Sequence, residues 1–226
     1  MTEEEKFMCK VVTWDEIDLW AKNVVKKIRA SGFKPDMVVA LIRGGLVPAR
    51  LICDHLHLKN LFAVKVEHWG ITAQADMKAK LIQGLDLDLT GKKILVVDDI
   101  TDTGESLLIS TAHLKTKGPA VMKSATLLHI AHSKFEPDFY DIYVPKEKWT
   151  WFIFPWNFHE DIRTLAVKTI LTPKDVKGVT KALKDQFQIK VDLEIVEEAL
   201  LELKDRGEAV QKDGKWTKAD QPKNTK

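Results

Sequence analysis

The chain has 226 residues, 45% of them hydrophobic, which supplies enough apolar material for a sizeable core in one domain or in a domain with an appendage. Its 35 basic and 33 acidic side chains leave a net charge of +2, which argues against a general electrostatic footprint for nucleic acid. Cys9 and Cys53 make neither a disulfide framework nor a metal-ligand spacing, and the acidic start MTEEEKFMCK has no run long and apolar enough for a signal peptide or membrane span. A soluble cytoplasmic protein is therefore expected.

Thr13, Trp14, Asp15 and Glu16 form a capping box, and Ile17, Trp20, Ala21, Val24, Val25 and Ile28 recur behind it at helical spacing as far as Ser31 and Gly32. Residues 37–42 (MVVALI) read as a buried strand that runs into Arg43, Gly44 and Gly45, with Pro48 opening a helix through Leu56. In a parallel sheet such a loop lies at the carboxyl edge, where ligands bind, although two glycines also suit a plain tight turn. Residues 61–66 read as a further strand. Residues 67–90 have no long apolar run and scattered Gly, Asp and Lys, so they read as a disordered stretch or a lid.

Residues 93–108 (KILVVDDITDTGESLL) are the centre of the chain. Ile94, Leu95, Val96 and Val97 make a strand buried on both faces, which ends in the adjacent carboxylates Asp98 and Asp99. The hydroxyl-rich turn Thr101, Asp102, Thr103, Gly104, Glu105 and Ser106 then opens onto a helical pattern. Free backbone N–H groups and the helix dipole favour a phosphate there, Gly104 lets the backbone come close, and Thr101, Thr103 and Ser106 can add hydroxyl donors. The spacing is not that of a Walker loop. Acids beside a phosphate cradle suit sugar hydroxyls and a hydrated metal, so a phosphorylated sugar is implied. An ordinary strand–turn–helix explains the turn but not the paired acids.

VVDDITDTGES resembles the phosphoribosyl pyrophosphate (PRPP) signature of type I phosphoribosyltransferases. IRGGLVPARL is similar to the pyrophosphate loop of the 6-oxopurine members, and the resemblance implies a cis non-proline peptide at Arg43–Gly44. FEPDFYDIYVP (135–145) is similar to the hypoxanthine-guanine enzymes and KWTWFIFPWN (148–157) to the aromatic segment of the xanthine-guanine enzymes. The implied fold is a Rossmann-like α/β core with a parallel sheet and a small hood, over residues 1–170. The implied reaction joins a free purine, a 6-oxopurine above all, to PRPP with Mg²⁺ as cofactor, giving the nucleoside monophosphate and pyrophosphate. Asp98 and Asp99 would hold the ribose hydroxyls, directly or through metal-bound water, and residues 101–106 the 5′-phosphate. Arg43, Gly44, Gly45 and, by a looser match, Arg163 would receive the pyrophosphate. Asp102 matches the proton acceptor for the purine ring nitrogen. Trp151 would cover the base and Phe152 would lend backbone groups, though tryptophans also serve cores. Where the oxopurine enzymes carry a lysine that reads the exocyclic oxygen, this chain has His132, with Lys134 two residues on. Adenine or a pyrimidine therefore stays open as the base, as does a PRPP-sensing regulator without chemistry. A homo-oligomer is expected.

Residues 171–226 lie beyond the catalytic resemblance. Thr172 and Pro173 suit the start of a helix through about Phe187, residues 191–206 a second amphipathic helix, and Asp213-Gly214 the turn of a hairpin. Two helices and a hairpin resemble a reduced winged-helix module. Six acids against Lys204 and Arg206 in 191–206 oppose contact with a phosphate backbone, so no DNA binding is expected and a docking or dimerisation appendage is preferred.

Overall fold

The computed structural model describes residues 5–69 and 78–219. In chain order the elements are β1 (Cys9–Val11), α1 (Trp14–Ala30), β2 (Met37–Ile42), α2 (Leu46–Leu56), β3 (Leu61–Trp69), β4 (Lys78–Gln83), β5 (Lys93–Val97) and β6 (Ile100–Thr101). They continue with α3 (Glu105–Lys115), β7 (Val121–Ile130), β8 (Phe139–Val144), β9 (Trp151–Ile153), α4 (Phe158–Thr169), α5 (Val176–Phe187), α6 (Leu193–Asp205), β10 (Ala209–Lys212) and β11 (Lys215–Lys218). Two compact units result, one of residues 14–149 and one of residues 5–13 with 150–219.

Among the described residues the 14–149 unit is built on a seven-stranded sheet in the order β4-β3-β2-β5-β7-β6, with β8 also on β7. All its pairs are parallel except β3 with β4. Strand alternation explains why β2 has no polar side. Val38 and Ala40 meet Val24, Ile28 and Ile52 of α1 and α2 on one face, while Met37, Val39 and Leu41 meet Leu107 and Leu114 of α3 on the other. Strands β2 and β5 are parallel neighbours, with Val39 opposite Val96 and Ala40 opposite Val97, so their carboxyl ends lie side by side. That adjacency positions the site.

The stretch expected as a lid is partly ordered sheet. Strand β3 runs on to Trp69 and pairs antiparallel with β4, while residues 70–77 lie outside the described residues. Strand β4 has no clear signature in the sequence, because KAKLIQ alternates lysines with small or aliphatic residues and Leu81 is the residue that joins a core.

In the other unit β1 pairs parallel with β9, Cys9 opposite Trp151. The expected boundary at residue 170 falls inside one core, in which Ile162 and Leu165 of α4 meet Leu183 of α5, Leu200 of α6 and Trp216 of β11. Helix α5 begins later than expected. Asp175, not Thr172, is its N-cap and accepts a hydrogen bond from the Gly178 N–H at 2.8 Å. The residues before it are held by backbone bonds between Lys174 and Trp216, at 3.1 and 2.7 Å, which keep that stretch extended. The hairpin turns at Asp213 (φ 49°) and Gly214 (φ 72°), both left-handed, as a two-residue primed turn requires. None of the described helices is long and apolar enough to cross a membrane.

Candidate active site

Strand β5 delivers Asp98 and Asp99 at the carboxyl edge. Asp98 Oδ1 accepts from the Asp99 N–H at 3.0 Å, and Asp99 Oδ1 from the Ile100 N–H at 2.8 Å. Asp99 is buried. Burial, and then the Asp99 charge beside it, push the Asp98 carboxyl well above the ordinary carboxylate range, against the single backbone donor that favours its charge. A proton or a cation next to this pair relieves it.

The neighbouring β2–α2 loop lies directly on these acids. A Cβ on Gly44 would stand 2.1 Å from Asp99 Oδ2, and one on Gly45 would stand 2.5 Å from the Val97 carbonyl and 2.7 Å from that of Leu41. Only glycine allows that approach, which is why both positions lack a side chain. The loop contains a cis non-proline peptide, at Ile42–Arg43, one bond before the expected Arg43–Gly44. The Arg43 residue is exposed.

Beyond Asp99 the chain makes the short strand β6 and turns into α3. Gly104 is the N-cap of α3, at φ 81°, and a Cβ there would meet Ser133 Oγ at 2.5 Å and Phe135 at 2.7 Å. The helix thus opens with its first N–H groups on a loop that a second turn, residues 131–135, closes from behind. The Thr101 hydroxyl departs from its expected place among the loop donors. It is buried and bonded to Thr126 Oγ1 at 3.1 Å within the sheet, whereas Thr103 is exposed. Asp102 Oδ1 stands 2.7 Å from His132 Nε2, an ion-pair approach without the alignment of a hydrogen bond. Ser133, Phe135 and Thr126 carry no motif. The signal for the first two was the glycine they press on, which a single sequence does not reveal.

The remaining expected residues belong to the other unit. Trp151 is half-buried, and its indole N–H donates to the buried Asp161 carboxylate at 3.2 Å. Phe152 follows it in β9 and is also half-buried. Arg163 of α4 is ion-paired with Glu202 of α6. Burial, with the Asp161 charge adding to it, pushes the Cys9 thiol up to about 12, so it stays protonated and is no nucleophile. Among the described residues no group of three or more His, Cys, Asp or Glu is placed to hold a metal ion.

A family model for the phosphoribosyl transferase domain matches residues 13–163. The chain is 27% identical to the xanthine-guanine phosphoribosyltransferase of Ruegeria sp. (strain TM1040), over 65% of this chain and 84% of that protein. It is 28% identical to the hypoxanthine-guanine phosphoribosyltransferase of Aquifex aeolicus, over 58% of this chain and 77% of that one. Among solved structures, the purine phosphoribosyltransferase from Pyrococcus horikoshii Ot3 superposes with a TM-score of 0.57 at 28% identity, covering 66% of this chain and 94% of that chain. The loop over Asp98 and Asp99 and the glycine-capped helix beyond them occupy the matched span, and the chain belongs to the type I phosphoribosyltransferase family of transferases, where it resembles the purine enzymes.

Proposed function

We propose that the protein transfers a phosphoribosyl group from Mg-PRPP to a free 6-oxopurine, giving the nucleoside 5′-monophosphate and pyrophosphate, a purine-salvage reaction. The observation that carries this is the seating of Gly44 on the Asp99 carboxylate, which joins an arginine-glycine loop, two acids and a glycine-capped helix at one sheet edge.

Each part has a task. The first N–H groups of α3, with Thr103 and Ser106, take the 5′-phosphate, and the helix dipole favours its charge. Asp98 and Asp99 hold the ribose hydroxyls. The Gly44–Gly45 backbone and the Arg43 guanidinium receive the pyrophosphate as it leaves with the electron pair of its bond to the ribose carbon. That carbon passes through an oxocarbenium-like state, so positioning and charge stabilisation supply most of the catalysis. Asp102 accepts the proton of the purine ring nitrogen as the new carbon–nitrogen bond forms. The resemblance assigns Trp151 to cover the base, a stacking contact worth about 1–3 kcal/mol, and Phe152 to lend backbone groups. Arg163, which the resemblance assigns more loosely to the pyrophosphate, is ion-paired with Glu202.

Mg²⁺ fits this chemistry as a passenger of the substrate. The Asp98–Asp99 pair favours a cation beside it, yet the described residues offer no complete ligand set, so phosphates and water would complete its shell. When bound it offsets the charge of the leaving pyrophosphate. The two helices and hairpin of the C-terminal part suit a winged-helix-like module used for association between copies rather than for DNA, since α6 is acidic. The two buried free thiols suit a reducing, cytoplasmic setting.

The test is a panel of hypoxanthine, guanine, xanthine, adenine and uracil with Mg-PRPP, following pyrophosphate release. Turnover with one or more oxopurines is expected. Turnover with adenine or uracil alone would reassign the base. PRPP binding without turnover of any base would make the protein a sensor.

A further inference from the structure

His132 stands where a reader of the purine's exocyclic group is expected, and it also stands against Asp102. It follows the end of β7, in the turn that closes over the phosphate loop. The two turns are locked together. The Lys134 N–H donates to the Thr103 carbonyl at 3.0 Å, the Ser133 N–H to the Ile130 carbonyl at 3.0 Å, and Gly104 has no room for a Cβ against Ser133 and Phe135. Backbone bonds thus hold the two turns together, and across them His132 Nε2 stands 2.7 Å from Asp102 Oδ1. The other charged groups on and beside these turns are Lys134 and Glu105, 3.9 Å apart and paired with each other, and Glu136. Asp102 Oδ1 is buried and takes no aligned hydrogen bond, so a donor brought that close meets an acceptor that needs one.

Resting on the reading of Asp102 as proton acceptor, we propose that His132 is the positioning residue of that base. It donates from Nε2 to Oδ1 and does not read the purine's exocyclic group. With Oδ1 held, the carboxylate keeps one rotamer, and Oδ2 is left to take the ring proton as the glycosidic bond forms. A partner that orients the general base acts alike on every purine, because the ring nitrogen is common to them.

Two measurements on the full-length protein test this. In kinetics, His132→Ala should lower kcat roughly 10- to 100-fold, by a common factor for every base that the wild type accepts, with base KM little changed. His132→Gln, whose amide can donate to Oδ1, should recover part of the loss. A loss confined to one base, or one carried by KM, would instead make His132 the reader of the exocyclic group and overturn the proposal. The second measurement needs no turnover. A ¹⁵N–¹H correlation spectrum of the wild type above the titration range of an imidazole should show the proton of His132 on Nε2. A proton on Nδ1 would overturn the pairing even if the enzyme is active. A wild type inert with all bases would sink the assigned reaction while the tautomer still decides the pairing.

Discussion

The carboxyl edge of the sheet and the C-terminal helices with their hairpin obey opposite rules. At the edge, two carboxylates sit side by side with one of them buried, a third carboxylate oxygen lacks an aligned donor, and two glycines fill spaces where a methyl group would collide with protein. None of this helps a chain to fold. The C-terminal part follows the folding rules closely. Leu183, Phe187 and Leu200 are fully buried, Asp175 caps α5, Arg163 is paired with Glu202, and the hairpin turns on an Asp-Gly. Its departure is the buried Trp216 indole N–H, which has no hydrogen-bond partner. Such departures gather at the edge and are few in the C-terminal part, the pattern expected of a candidate site beside a support.

Substitutions can break that contrast. The largest effect is expected at the edge, on rate alone. If Asp102 is the proposed proton acceptor, Asp102→Asn should cut turnover by roughly 10²–10⁴-fold at saturating base and PRPP while PRPP affinity stays near wild type, because the proposed phosphate cradle is mostly backbone. Equal turnover in steady-state assays would remove Asp102 from the chemistry.

In the C-terminal part the expected loss is of stability. Leu200 is fully buried in the core shared by α4, α5 and α6. Leu200→Ala should cost about 2–5 kcal/mol in denaturant unfolding. A cost below about 1 kcal/mol would mean that these helices are a loose appendage after all.

The smallest effect sharpens the contrast because its sign is unusual. The folded protein holds the Asp98 proton to higher pH than the unfolded chain does, so this group's contribution falls as pH rises from the unfolded carboxylate range upward through the folded value. Asp98→Asn keeps the acceptor for the Asp99 N–H and abolishes that penalty. The ligand-free variant should therefore melt a few degrees higher than wild type at pH 7, the gap closing toward pH 4, while its affinity for Mg-PRPP in calorimetry falls. A variant that melts lower at pH 7 would show Asp98 to be a structural acid.

The sequence by itself determined the elements whose signals are local. Strand β2 runs over the six residues its apolar run marks, α1 buries the six residues its spacing selects, and the hairpin turns where Asp213-Gly214 says it must. The order of acids, hydroxyls and glycine after β5 was legible too, because a phosphate loop is one continuous stretch. Tertiary structure decided whatever depends on residues distant in the chain. No local pattern says that Gly44 rests on Asp99, that the Thr101 hydroxyl turns to Thr126, or that His132 reaches Asp102. Nor could sequence show that residues on both sides of 170 share one core, since Leu200 and Trp216 reveal an apolar face but not that Ile162 and Leu165 will cover it. Periodicity specifies which side of an element is buried, and only the packed fold specifies against what.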